Sequence, residues 1–404
     1  MDAGAGAYPG GGEAAQHGFS AGAGAGRFAR LEEEAMKEEF PSHGGNLAWA
    51  AERYGLAEGD FLDFSSNVNP LGPSPRAMEA ARASLEKLPN YPEPHADGLK
   101  RELASYLGVE PGLLVLGNGS TELIYHLVSC LAPRRVSVVS PAFGECERAA
   151  LRAGAEVAHL QLRPESAFEL EARELARAAA GSGLTFVCNP ASPTGRLYDR
   201  EELLPALEAC RERGGVLAVD QSFMGFCPPA LEERASLMPE AGTQGLVIIS
   251  TLTKLFALAG LRGPGWLAAP PDMASRLEER AAPWRVNVVA AAAARVSLKD
   301  EEYVRRTRTM VAEWREEMAR RLSESAGCRV FPSAANFLLL RLPDGAPPAA
   351  ALADELGRRG ILVRVCGDFR GLEEGYIRVS VRTPRDNQRL IEALGEVVKS
   401  KLEA

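Results

Sequence analysis

Short apolar, β-branched runs alternate with longer stretches of helical spacing through the middle of the chain. Val136-Ser137-Val138-Val139, Leu184-Thr185-Phe186-Val187-Cys188, Val216-Leu217-Ala218-Val219 and Leu246-Val247-Ile248-Ile249 have the length and composition of buried strands. Between them lie segments such as Arg200–Arg213, where apolar residues recur at helical intervals and leave a polar outer face. Strand–helix alternation predicts an α/β fold, a mainly parallel sheet with helices on both faces. Beyond about residue 290 the pattern changes. A charged helical stretch over 300–325 leads into Ala335-Asn336-Phe337-Leu338-Leu339-Leu340-Arg341-Leu342, a strand signal. A helix near 349–359 and strands near 361–365 and 376–381 follow, the outline of a smaller α+β domain.

The expected division is a Gly/Ala-rich tail (1–40), an N-terminal segment joining the small domain (41–75), a large domain (76–289) and a small C-terminal domain (290–404). The tail has few large apolar residues and lacks the basic start and apolar stretch of a signal peptide, so disorder is expected there. Translation from Met1 or from Met36 are both open, and residues 1–35 are expected to be dispensable.

Composition narrows the function classes. At 404 residues and 46% hydrophobic content the chain can bury a large core. A formal charge of −8, with no dense Lys/Arg block, argues against a nucleic-acid surface. No apolar run reaches the roughly 18 residues of a membrane-spanning helix. Seven cysteines are scattered without a CxxC pair, the usage of reduced, structural thiols in a cytoplasmic protein with no metal site.

Ligands of parallel sheets bind at the carboxyl ends of strands. Asn189, in Asn189-Pro190-Ala191-Ser192-Pro193-Thr194-Gly195, follows one strand run and Asp220 ends another. Ser250-Thr251-Leu252-Thr253-Lys254 follows a third, and Arg262 lies eight residues beyond the lysine. Gly117-Asn118-Gly119-Ser120-Thr121-Glu122 precedes an apolar run at 123–131, so backbone N–H groups at a helix start can receive an anion. Each motif has an ordinary reading: a solvated lysine, a turn aspartate, a helix cap. Their joint order favours chemistry.

That order of Asn, Asp, Lys and Arg resembles the fold type I enzymes of the class I/II aminotransferase family, which use pyridoxal 5′-phosphate. The resemblance implies a catalytic set of Lys254, Asp220 and Asn189. Lys254 would bond the cofactor as an imine, Asp220 would face the pyridine nitrogen, and Asn189 would donate to the ring's phenolic oxygen. Gly119, Ser120, Thr121, Thr251, Thr253 and Arg262 would hold the cofactor phosphate. Phe143, in Pro141-Ala142-Phe143-Gly144-Glu145, would stack on the ring. Tyr91 would extend into the site of a second subunit, which implies a homodimer.

Several segments resemble the threonine-phosphate decarboxylase branch of cobalamin biosynthesis, with histidinol-phosphate aminotransferases as near relatives. They are His43-Gly44-Gly45-Asn46, the run from Asp63 to Pro73, Pro283-Trp284 with Val286-Asn287, and Phe369-Arg370-Gly371-Leu372 leading to Arg378 and Arg382. The substrate implied is a small phosphorylated amino acid, with His43, Asn67, Arg364 and Arg378 as its ligands. Which arginine takes carboxylate and which phosphate stays open, because a guanidinium suits both. Decarboxylation of L-threonine O-3-phosphate is the expected reaction, with amino transfer as the alternative. The chain departs from the family pattern at Gln221, Phe223, Ser192, Arg285 and a longer turn at Gly263-Pro264-Gly265-Trp266. Phe223, in place of a common tyrosine, leaves Asn189 as the expected side-chain donor to the phenolic oxygen.

Overall fold

A computed structural model describes residues 40–402; the expectations for the tail and for a start at Met36 lie outside them. The strands are β1 (Leu62–Asp63), β2 (Leu114–Gly117), β3 (Arg135–Ser140), β4 (Glu156–Gln161), β5 (Leu184–Cys188), β6 (Val216–Asp220), β7 (Leu246–Thr251) and β8 (Gly265–Ala268). Five more follow: β9 (Arg329–Val330), β10 (Phe337–Arg341), β11 (Ile361–Leu362), β12 (Arg364–Val365) and β13 (Tyr376–Ser380). Strands β2 to β8 form one seven-stranded sheet in the order β2-β8-β7-β6-β5-β3-β4.

The four apolar runs read from the sequence are β3, β5, β6 and β7, and they pair in parallel with helices between them. Their continuous apolar character follows from two-sided burial. Leu217, Val219, Leu246 and Ile248 pack into one apolar cluster, while Val216, Ala218, Val247 and Ile249 pack into the other. Of these seven strands, β2, β4 and β8 escaped the sequence pattern. β2 and β8 have four residues each, with a glycine at one end, and β8 runs antiparallel to both β2 and β7. Four-residue runs carry too little periodicity to distinguish strand from loop.

The smaller lobe is built on an antiparallel sheet in the order β12-β13-β10-β9. Helix Glu301–Ala326 packs along it and buries Tyr303, Thr307, Val311, Arg315, Met318, Leu322 and Ala326, one residue every three or four. The strand expected over 361–365 is two pieces. Ile361–Leu362 pairs in parallel with β1 from the N-terminal segment, whereas Arg364–Val365 pairs with β13, so Val363 marks a change of sheet. Helix Val288–Ser297 packs against helices Pro75–Ser84 and Asp97–Leu107 of the large lobe. This helix runs on past the boundary expected at 289/290 yet packs on the large lobe. Among the described residues, no helix is long and apolar enough to cross a membrane, and no group of side chains could hold a metal ion. All seven cysteines are free thiols.

Candidate active site

At the carboxyl end of β2 the chain turns through Gly119, at φ 84°, into helix Ser120–Leu131. Glycine accepts that positive φ without a Cβ penalty, and the space a Cβ would fill is taken. A Cβ on Gly119 would lie 2.5 Å from Nη2 of Arg262. Gly265, on β8, has the same constraint, since its Cβ would fall 2.2 Å from the Gly119 carbonyl carbon. Arg262 therefore lies across the start of the helix and donates to the Asn118 carbonyl at 3.1 Å. No carboxylate pairs with it among the described residues. A free helix N-terminus beside an unpaired guanidinium fits a phosphate.

Lys254 sits in the helical turn Leu252–Leu255 directly after β7, partly exposed. Burial, and after it the charges of Arg378 and Arg262, hold its ammonium pKa down at about 8 against the opposing pull of Asp220. Asp220 ends the neighbouring strand β6. Burial raises its carboxyl above the ordinary range, with the backbone N–H of Ser222 (2.9 Å) and the Lys254 charge opposing the rise. The two threonines brace the longer turn. Thr253 Oγ1 donates to the Gly263 carbonyl (3.0 Å), and Thr251 Oγ1 donates to Thr253 Oγ1 (2.8 Å). Thr253 can serve a phosphate by giving up its bond to Gly263. Thr251 can serve a phosphate by giving up its bond to Thr253.

Asn189 does not serve as expected. It is fully buried, and its Nδ2 donates to the carbonyls of Tyr198 (2.9 Å) and Ala235 (3.4 Å). Its Oδ1 accepts from Tyr198 N at 2.9 Å. Both amide hydrogens are consumed in closing the 189–198 loop, so none remains for a ring oxygen. The polar side chain of this loop that faces the site is Ser192, whose Oγ accepts from Arg378 Nη1 at 3.2 Å. The sequence flagged Ser192 only as a departure from a usual asparagine.

Arg364 and Arg378 are cross-strand neighbours on β12 and β13. Arg378 is buried, donates to the Ser65 carbonyl at 2.9 Å, and keeps Nε without a partner. Burial pushes its pKa down to about 10. Arg364 pairs with Asp368, donates to the Ser42 carbonyl and lies 4.9 Å over the Phe369 ring. Asn67 is buried with an unpartnered Oδ1. His43 reaches across from the N-terminal segment to Glu145 (3.0 Å), with its ring centroid 5.8 Å from that of Phe143.

The structure thus gathers Gly119, Ser120, Thr121, Thr251, Thr253, Lys254, Asp220 and Arg262 at adjacent strand ends, with Arg364, Arg378, His43, Asn67 and Phe143 arranged around the N-terminal segment. Tyr91 joins neither group. It is 82% exposed and stacks on Trp284 with centroids 4.9 Å apart. Glu145 was missed: nothing in its local sequence distinguishes it from an ordinary acidic residue at a helix start.

A profile of the family "Aminotransferase class I and II" matches residues 59–394. The chain is 32% identical to a threonine-phosphate decarboxylase of Salmonella typhimurium, over 88% of this chain and 96% of that one. It is 36% identical to a histidinol-phosphate aminotransferase of Symbiobacterium thermophilum, over 83% of this chain and 90% of that one. It is also 30% identical to the adenosylcobalamin biosynthesis bifunctional protein of Leptospira interrogans; 89% of this chain matches, spanning 41% of that longer protein. In fold it is similar to a histidinol-phosphate aminotransferase of Sinorhizobium meliloti solved with pyridoxal 5′-phosphate. The TM-score is 0.80 at 21% identity, covering 96% of this chain and all (100%) of that one.

Proposed function

Because the chain belongs to the aminotransferase class I and II family, we propose that it is a decarboxylase of L-threonine O-3-phosphate, forming (R)-1-aminopropan-2-ol phosphate and CO₂. Its cofactor is pyridoxal 5′-phosphate, which fits the donor set: an anion cradle at Gly119–Thr121 and Arg262, the amine of Lys254, and the buried carboxylate of Asp220. When bound, the cofactor draws electrons from whichever bond at the substrate α-carbon stands perpendicular to its ring.

The observation that carries the reading is the cross-strand pair Arg364–Arg378, both hydrogen-bonded to the N-terminal segment that carries His43 and Asn67. A small substrate with both a phosphate and a carboxylate needs two cationic ligands, because desolvating an unpaired charge is costly. Arg378, aimed at Ser192 and Ser65, and Arg364, tied to the N-terminal segment at Ser42, are placed to clamp the two ends. The clamp decides which α-carbon bond is exposed to cleavage. Asp220 holds a proton at the ring nitrogen. Lys254 Nζ is the group available to return a proton to the carbon that has lost CO₂.

A second reading, amino transfer from histidinol phosphate or a related donor, is favoured by the 36% identity to the Symbiobacterium protein. The same Lys254 and Asp220 would serve it. Turnover of L-threonine O-3-phosphate with no 2-oxo acid present separates the two. We further assign the exposed ring pair Tyr91 (82%) and Trp284 (47%), with centroids 4.9 Å apart, to a homodimer contact, since paired exposed aromatics mark an interaction surface.

The lowered pKa of Lys254 gives a pH signature in the cofactor-free protein. Only the neutral amine bonds an aldehyde, and a lysine depressed to about 8 is neutral above that pH and protonated below it. The rate of cofactor uptake is expected to rise roughly tenfold per pH unit up to about 8 and then level. Stopped-flow absorbance reads it. A rise continuing towards the pH of an ordinary lysine would place Lys254 in a solvated setting.

A further inference from the structure

Glu145 opens helix Glu145–Arg152 and is only 7% exposed, yet it is ionised. Burial pushes its carboxyl up, but hydrogen bonds from His43, Tyr125 and Arg148 outweigh that and hold its pKa at about 2. The donors converge from three elements. His43 Nε2 (3.0 Å) and Arg148 Nη1 (2.8 Å) reach Oε1, and the Tyr125 hydroxyl (2.6 Å) reaches Oε2. Tyr125 stays a donor, since burial and the bond to Glu145 push its pKa up to about 12. A buried carboxylate with this many donors is a fixed acceptor, and the long-range bond among the three is the one to His43 on the N-terminal segment.

That bond fixes more than a position. An anionic carboxylate accepts from Nε2–H, so the bond fixes the ring's hydrogen on Nε2 and its orientation. The neighbours of His43 belong to the site. Ser42 accepts from Arg364, and Gly45 N donates to Ser65 Oγ at 2.9 Å. The Ser65 carbonyl in turn accepts from Arg378, and the imidazole sits 5.8 Å from the Phe143 ring.

We propose that Glu145 is a positioning residue for phosphate recognition: it anchors the N-terminal segment through His43 Nε2, and with it the Ser42 and Ser65 carbonyls that hold Arg364 and Arg378 on the substrate. The inference rests on the reading of the substrate as a phosphate ester, but not on whether the reaction is decarboxylation or amino transfer. Glu145 touches no substrate atom and acts only through His43.

The test titrates inorganic phosphate into the cofactor-loaded protein and compares native, Glu145→Gln, His43→Gln and the double variant. Each single variant is expected to weaken phosphate binding about tenfold, the value of one hydrogen bond to a charged group. In Glu145→Gln, KM for the phosphorylated substrate rises by a similar factor, while kcat at saturation stays within about twofold and the cofactor absorbance is unchanged. The double variant binds phosphate no more weakly than His43→Gln alone, because Glu145 has nothing left to position. Native-like phosphate affinity in either single variant overturns the proposal, as does a double-variant loss equal to the product of the two single losses. His43→Gln alters a half-exposed ring and keeps the test open if Glu145→Gln does not fold. If the native protein turns over neither L-threonine O-3-phosphate nor histidinol phosphate, the functional reading fails while the phosphate series still decides this one.

Discussion

Lys254→Ala is expected to cut turnover by about 10⁴-fold or more, since it removes both the amine that bonds the cofactor and the proton carrier at the α-carbon. The loss should be chemical and not structural. Lys254 lies in a four-residue helical turn at the end of β7, and the apolar residues around it, Leu252 and Leu255, stay in place. Arg262 and the start of helix Ser120–Leu131 remain to hold the cofactor phosphate, so the variant should still take up cofactor, now without a covalent link. Steady-state rates, with absorbance before and after gel filtration, measure both effects. A variant that turns over at near-native rates would remove Lys254 from the chemistry.

The second large effect is expected at Arg378. Truncation to alanine should lower kcat/KM by about 10²-fold or more, from roughly 3 kcal/mol of lost charge-assisted hydrogen bonding. Cofactor affinity should change far less, because the phosphate cradle lies at β2 and β8 of the large sheet, whereas Arg378 stands on β13 of the small one. Arg378→Lys should recover only part of the loss, since an ammonium cannot replace the fork that reaches Ser192 and the Ser65 carbonyl together. One more consequence follows from charge. Arg378 helps to depress the Lys254 pKa, so its removal should raise that pKa above about 8 in the cofactor-free protein. Equal losses of substrate and cofactor affinity would mean that Arg378 supports the fold and not the substrate.

Much of the fold could be read from the sequence because β3, β5, β6 and β7 are buried on both faces, and two-sided burial leaves unbroken β-branched runs. Strands β2 and β8 were not legible, being four residues long and partly glycine. The break at Val363 was invisible for another reason. Strand pairing is a long-range property, and only the arrival of Leu62–Asp63 beside Ile361–Leu362 splits the run between two sheets.

The site divides in the same way. Lys254, Asp220 and Arg262 were legible because residue type and spacing jointly fix them at successive strand ends. Asn189 misled because an asparagine before a proline reads alike whether its amide faces a ligand or closes its own loop. Only the hydrogen bonds to Tyr198 and Ala235 distinguish the two. Glu145 was illegible because its partner His43 is 102 residues away in sequence.

The most direct test supplies cofactor-loaded protein with L-threonine O-3-phosphate, no 2-oxo acid, and a trap for CO₂. Release of one CO₂ per amine product over many turnovers is the predicted result, because decarboxylation needs no amino acceptor. No release, with activity emerging only on histidinol phosphate plus 2-oxoglutarate, would contradict the decarboxylase reading and make the chain an aminotransferase.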